Sequence, residues 1–131
     1  MKNSLCYAVC IMTEIGAKSS ILEEILADSK TIEGRLAKPR FLALRAGDMI
    51  SLREDAWQDG SIVHSKPGVA NIVVTNIEHF TSFGKMLMTL GYEHIVLAAH
   101  DYESAVTVYG QFYSTADERQ YGVLAISFQL I

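Results

Sequence analysis

The 131-residue chain lacks most of the features that mark specialised classes of protein. Its two cysteines, Cys6 and Cys10, are too few for a disulfide scaffold and lie roughly 13 Å apart on one predicted strand, too far to share zinc. No apolar run approaches the roughly 20 residues that span a bilayer, and no signal peptide, P-loop or paired metal-ligand spacing is present. We therefore expect one soluble, cytoplasmic domain over 1–131, without a metal, a cofactor or a membrane partner.

Positive charge is also scarce, and it is unevenly distributed. The chain has 11 Lys and Arg against 15 Asp and Glu, a net charge of −4 that argues against a general nucleic-acid binder. Residues 30–53 nevertheless hold six basic and two acidic residues, whereas the rest of the chain holds five and thirteen. A basic segment in an acidic body suits one anion at one site better than a long nucleic-acid backbone. It equally suits a solvated, solubilising loop.

Strand patterns recur along the whole chain. Apolar runs that are rich in β-branched residues or alternate in polarity predict strands over 5–13, 31–36, 48–54, 69–79 and 122–131. Turns are expected at Asp59-Gly60 and at Lys66-Pro67-Gly68, and a basic connection is expected over 37–46. The third and fourth strands are close enough along the chain to pair antiparallel.

Helix patterns are interleaved with these strands, which favours an α+β domain around a small, partly closed sheet. Apolar residues at helical spacing predict helices over 20–28, from 81 or 82 to 90, and over 101–113. A Ser-x-x-Glu capping box formed by Ser20 and Glu23 is expected to begin the first helix.

Lys30, Glu33 and Arg35 form the most informative cluster. Residues two apart on a strand share a face and lie roughly 7 Å apart, so Glu33 and Arg35 are neighbours, and Lys30 leans over the same area from the preceding junction. Two cations around one carboxylate are costly to bury dry. We expect an empty position between Lys30 and Arg35 that takes a phosphate or a polar base edge. The same residues also fit a surface ion pair worth about 0–1 kcal/mol.

The segment Asp28-Ser29-Lys30-Thr31-Ile32-Glu33-Gly34-Arg35 resembles the G-x-K-x-x-E-x-R motif of the ASCH domain family, a branch of the PUA-like superfamily. The resemblance continues in order through 47–50, 77–87, 105–114 and 121–126. It departs at Asp28, which replaces the motif's glycine, although Asp tolerates the left-handed conformation that such a position needs. The resemblance implies a PUA-like, mixed or antiparallel β-barrel of about five or six strands with short flanking helices.

ASCH domains are thought to bind RNA or nucleotides, so the resemblance implies an RNA- or modified-nucleoside-binding cleft lined by Lys30, Glu33 and Arg35. Other candidate binding residues are Arg40 and Arg45, which would guide a polyanion, and Ser82, which would hold an anion at a helix N-terminus. The plainer role of the two arginines is solvated surface charge, and the plainer role of Ser82 is a helix cap. Aromatic side chains either stack on bases or pack in the core. They are Trp57, Tyr109, Phe112, Tyr113 and Tyr121.

An enzyme in the same cleft is the first alternative, with Lys30 and Glu33 as catalytic residues. Some ASCH proteins are similar to amidohydrolases acting on N4-acetylcytidine, which use a threonine nucleophile. This chain has Glu33 at the position of that threonine, and a carboxylate does not simply replace a hydroxyl nucleophile. Others have been linked to ribonuclease activity, which needs an acid, and His79 is the best-placed histidine. A protein-interaction domain of the coactivator type is the second alternative.

Overall fold

Five strands form one curled sheet in the computed structural model, which describes residues 13–131. The strands are β1 (Thr13–Lys18), β2 (Ile32–Leu36), β3 (Met49–Gln58), β4 (Ser61–Phe80) and β5 (Val123–Leu130). Their order is β1-β3-β4-β5-β2, with β1 parallel to β3 and the other pairs antiparallel. The sheet is a half-barrel, and β1 and β2 are its two edges within the described residues.

Five short helices accompany the sheet in the described part of the chain. They are α1 (Ser19–Leu26), α2 (Pro39–Leu42), α3 (Phe83–Leu90), α4 (Tyr102–Gly110) and α5 (Thr115–Tyr121). A short 3-10 helix over Tyr92–His94 connects α3 to the segment that leads into α4. Within residues 13–131, every helix falls short of the length and apolar character that crossing a membrane requires.

Strand β5 separates two hydrophobic cores because alternate side chains on a strand point to opposite faces. Leu124 and Ile126 pack in a core that includes residues of α1, β1, β3 and β4. Val123 and Ala125 pack on the other face, against side chains of α3 and α4. Glu33 and Arg35 pair across the sheet with Ile126 and Leu124, which places both charges on the side of the first core.

The strand predictions from 31 onward are confirmed, with one correction at a turn. β3 and β4 form the expected antiparallel hairpin around Asp59-Gly60. The predicted turn at 66–68 is wrong, because these residues continue β4 and the pairing merely shifts register between Leu52 and Glu54. The predicted strand over 5–13, together with Cys6 and Cys10, lies almost wholly outside the described residues.

The helix predictions need more correction. The predicted capping box at Ser20 is wrong, since α1 is preceded by Lys18 and has no side-chain cap. The predicted connection over 37–46 contains α2, which Pro39 begins because its fixed φ suits a first helical position. The helix expected over 101–113 ends at Gly110, and the polar helix α5 was not predicted. Asp28 adopts the left-handed conformation, with φ +62°.

Gly34 keeps strand β2 close to the second core. A Cβ atom at this position would lie 2.7 Å from both Tyr109 Oη and Met86 Cε. Overpacking of this kind costs about 1–3 kcal/mol, so Gly34→Ala should lower the free energy of unfolding by that amount in urea denaturation. Gly110→Ala is the matched control, because nothing lies within 4 Å of the added atom. It should be neutral or slightly stabilising. Equal stability of the two variants would contradict this packing.

Candidate functional site

The open side of the half-barrel holds a cavity of about 500 Å³. Its wall includes residues of both edge strands, of β3, of the segment after the 3-10 helix, and of α4 and the turn that follows it. Arg35 on β2 reaches across the opening, and its Nη2 donates to the Gly16 carbonyl oxygen on β1 at 3.1 Å. The cavity therefore lies where side chains, rather than backbone pairing, connect the two edges of the sheet.

Lys30, Glu33 and Arg35 meet in the wall of this cavity. Glu33 Oε2 accepts from Arg35 Nε at 3.0 Å and from Arg35 Nη2 at 2.8 Å. Glu33 Oε1 lies 3.5 Å from Lys30 Nζ, which also donates to the Ile95 carbonyl oxygen at 2.5 Å. The expected empty position between the two cations is wrong, because the carboxylate of Glu33 occupies it. A phosphate between Lys30 and Arg35 would compete with Glu33.

This cluster is largely shielded from solvent, and Glu33 and Arg35 keep their charges. The side chains of Lys30, Glu33 and Arg35 are 3%, 21% and 19% exposed. Burial opposes ionisation of Glu33, but the charges and hydrogen bonds of Arg35 and Lys30 hold its pKa below the usual value. Burial likewise opposes the charge of Arg35, and Glu33 outweighs it and raises the pKa of Arg35. The cluster thus presents fixed charges and hydrogen-bonding atoms to the cavity.

Asp55 adds a second carboxylate to the cavity wall, and sequence reasoning missed it. Its side chain is 4% exposed and accepts from Arg53 Nε at 2.6 Å, from Arg53 Nη2 at 2.9 Å and from Ser65 Oγ at 2.8 Å. The hydrogen bonds from Arg53 lower the pKa of Asp55 despite its burial. Arg53 Nη1 also donates to Glu14 Oε1 at 2.8 Å. Arg53 and Asp55 lie two residues apart on β3 and form an arginine–carboxylate pair, as Glu33 and Arg35 do on β2.

Exposed aromatic rings form the rim of the cavity. Trp57 and Phe112 line it, are 42% and 49% exposed, and meet edge to face with ring centroids 6.4 Å apart. Lys18 Nζ lies 5.9 Å from the Trp57 centroid and 5.2 Å from the Phe112 centroid. We call Lys18, Trp57 and Phe112 the rim cluster. The end of β1, the end of β3 and the turn after α4 each contribute one residue to it.

The other predicted aromatic residues have mainly packing roles. Tyr109 and Tyr113 line the cavity, but both stack on Phe83, with centroids 4.3 Å and 4.9 Å apart. Burial raises the pKa of Tyr109 well above its usual range, so its hydroxyl stays protonated. Tyr121 is outside the cavity wall and lies under Lys38 Nζ at 5.4 Å. Of the aromatic candidates, Trp57 and Phe112 are therefore the accessible ones at the cavity.

The structure does not bring Arg40, Arg45 or Ser82 to the cavity. Arg40 stacks on Phe41, and its Nη2 donates to the Glu14 carbonyl oxygen at 3.0 Å. Arg45 lines a separate hollow of about 320 Å³ together with His79. Ser82 caps α3 by accepting from the Lys85 backbone N–H at 3.0 Å. The structure therefore does not place these three candidates beside Lys30, Glu33 and Arg35, and their binding roles stay predictions.

Metal ligands are not clustered in the described part of the chain. Across residues 13–131, no three His, Cys, Asp or Glu side chains come together in a way that would hold a metal ion. The carboxylates that line the cavity, Glu33 and Asp55, are each bound by an arginine instead.

Comparison with known proteins gives relatives without a stated function. No family model and no curated protein matches the chain. The crystal structure of the hypothetical protein PH0355 is 31% identical with a TM-score of 0.78, covering 92% of this chain and 100% of that one. The solution structure of PF0455 from Pyrococcus furiosus is 30% identical with a TM-score of 0.71, and the match covers 92% of this chain and 98% of that one. The chain belongs to the same family as these two proteins.

Proposed function

We propose that the protein binds an unpaired nucleobase, as a modified nucleoside or nucleotide or as an extruded base of RNA, in the cavity between β1 and β2. One observation carries the proposal: a single cavity combines a wall of fixed, hydrogen-bonding charges with a rim of exposed aromatic rings. A nucleobase needs both, because it has polar edges and flat apolar faces. The resemblance of residues 28–35 to the ASCH motif implies the same class of ligand, but the proposal depends on the cavity and not on the resemblance.

The size and polar groups of the cavity suit a ligand of nucleoside dimensions. Small-molecule sites usually measure about 300–1,000 Å³ and combine apolar lining with a few fixed polar groups. This cavity, at about 500 Å³, lies within that range. Glu33 offers carboxylate oxygens to base N–H groups, and the guanidinium of Arg35 offers donors to base carbonyl or ring nitrogen atoms. Because these charges already fix each other, the free site is organised for binding.

The charge distribution favours one base over a long stretch of nucleic acid. Tight binding to a polynucleotide backbone depends on many Lys and Arg contacts to phosphates. Here Arg40 and Arg45 are not part of the cavity wall, and Arg53 is bound by Glu14 and Asp55. The remainder of the chain is acidic. An RNA partner would therefore present a single-stranded or flipped base, and duplexes would bind poorly.

The contacts around Glu33 weigh against catalysis in this cavity. A general base works best with a pKa near the working pH, whereas the neighbouring cations lower the pKa of Glu33. His79, the best-placed acid for a ribonuclease, lines the separate hollow beside Arg45. Thr31, the threonine nearest in sequence to Glu33, does not supply the missing nucleophile, because it precedes β2 and is not in the cavity wall. Binding is therefore the function that we propose, ahead of hydrolysis. A coactivator-type interaction domain would show no affinity for nucleobases.

Trp57, the single tryptophan of the chain, is a built-in probe of this site. Titration with ribonucleosides, including N4-acetylcytidine, should change Trp57 fluorescence saturably after correction for ligand absorbance. Phe112→Ala should weaken the best ligand about tenfold, because stacking contributes about 1–3 kcal/mol per base. Met88→Ala, on the exposed side of α3, is the control and should bind as the wild type does. No saturable response to any nucleoside or short single-stranded RNA would contradict the proposal.

A further inference from the structure

Lys18 differs from the other cations of the cavity wall in its partners. Lys30 and Arg35 both lie against Glu33. Within residues 13–131, Lys18 has no carboxylate oxygen within salt-bridge distance, and its Nζ instead lies over the rings of Trp57 and Phe112. An exposed cation–π contact is weak and leaves the three N–H donors of an ammonium group available. Lys18 can therefore bind an anion without giving up a counter-ion.

Asp55, the carboxylate that pairs with Lys18 across the sheet, already has hydrogen-bond partners. Lys18 pairs across the parallel β1–β3 ladder with Asp55, so the two side chains emerge side by side into the cavity. Both carboxylate oxygens of Asp55, however, accept hydrogen bonds from Arg53, and one also accepts from Ser65. Among the described residues, positive charge without a carboxylate partner consequently remains at the rim, directly beside the aromatic rings, whereas Lys30 and Arg35 in the inner wall both contact Glu33.

We propose that the ligand carries a phosphate ester and that Lys18 binds this phosphate while the base enters between the rim rings and the Glu33–Arg35 wall. The inference rests on the proposed function and adds to it a substrate class: nucleoside monophosphates over free nucleosides. In a nucleotide, only one sugar separates the phosphate from the base. The rim cluster directly adjoins the cavity, so a base in the cavity would place its phosphate near Lys18. The phosphate belongs either to a free nucleotide or to an RNA backbone.

The test compares the best-binding nucleoside with its own 5′- and 3′-monophosphates and with a dinucleotide, by calorimetric titration of the full chain. We expect a monophosphate to bind about tenfold tighter than its nucleoside at low salt, and the advantage to shrink as salt screens the rim. Lys18→Gln should abolish this advantage, so that the variant binds the monophosphate no more tightly than it binds the nucleoside. A preference for the dinucleotide over both monophosphates would assign the phosphate to RNA, and the reverse to free nucleotides.

Lys38→Gln is the matched control, because Lys38 Nζ also lies over an aromatic ring, Tyr121 at 5.4 Å, but outside the cavity wall. It should retain the phosphate advantage. Equal binding of nucleoside and monophosphate by the wild type, or an advantage that survives Lys18→Gln, would overturn the role of Lys18 and leave the proposed function standing. Absence of binding by every nucleoside and nucleotide would overturn both.

Discussion

Glu33→Gln is expected to lower the free energy of unfolding by about 3 kcal/mol, because it leaves two shielded cations without their shared counter-charge. Lys30 is almost fully buried, and Arg35 is four-fifths buried. Removing one partner of a buried pair usually costs about 3–5 kcal/mol, and the partial exposure of Glu33 places the expectation at the lower end. Chemical denaturation measures the change.

A double-mutant cycle separates this charge effect from general damage. Lys30→Met keeps an apolar stem of similar length and removes the buried ammonium group. In the Lys30→Met/Glu33→Gln double variant, the loss should be smaller than the sum of the two single losses, because the two groups contact each other. Glu103→Gln, on the exposed face of α4, is the control and should change stability by less than about 0.5 kcal/mol. Additive losses would contradict the charge coupling.

The dependence of stability on pH gives an independent check of the same cluster. The pKa of Glu33 is lower in the folded protein than its ordinary value of 4.5, and the pKa of Asp55 is also lowered. Such a group stabilises the fold fully above its ordinary pKa and loses that contribution as the pH falls through its folded-state pKa. Wild-type stability should therefore fall below about pH 4.5, and Glu33→Gln should fall less steeply there.

Arg35→Lys is expected to lower stability by about 2 kcal/mol and to weaken base binding at least about tenfold. The guanidinium of Arg35 donates to Glu33 and, across the opening of the half-barrel, to the Gly16 carbonyl oxygen. A lysine ammonium lacks this planar fork, so it cannot keep both contacts in the same geometry. The gap between β1 and β2 should then lose the side-chain link that shapes the cavity.

Arg40→Lys is the matched control, since Arg40 also donates to a β1 carbonyl oxygen, that of Glu14, but does so on the exposed surface. It should stay within about 0.5 kcal/mol of the wild type and keep its affinity. Denaturation and nucleoside titration of both variants measure the difference. If Arg35→Lys and Arg40→Lys behaved alike, Arg35 would have no special part in the cavity.

Local patterns were sufficient to predict the central strand of the site. The alternation over 31–36 places Glu33 and Arg35 on one face of β2, as the structure shows. The left-handed conformation of Asp28 ends the turn after α1, and Lys30 then precedes β2 closely enough to contact Glu33. These features depend on residues within a few positions of one another, which is the range over which sequence periodicity is informative.

Contacts between distant segments explain what the sequence did not reveal. Lys18 and Asp55 reach the cavity from β1 and β3, and these two strands pair in parallel across an intervening stretch of chain. No local periodicity specifies such a meeting. Arg45 and Ser82 were candidates because of their charge and helix position, but the turns around them decide where their side chains lie, and neither is in the cavity wall. Helix α5 was missed because its surface is polar.

A crystal structure of the protein with its best-binding nucleoside monophosphate is the most direct measurement of the central claim. We predict the base inside the cavity, against Trp57 or Phe112 on one side and hydrogen-bonded to Glu33 or Arg35 on the other, with the phosphate beside Lys18. A ligand seated instead in the hollow beside Arg45 and His79, or a cavity still empty at saturating ligand, would contradict the account.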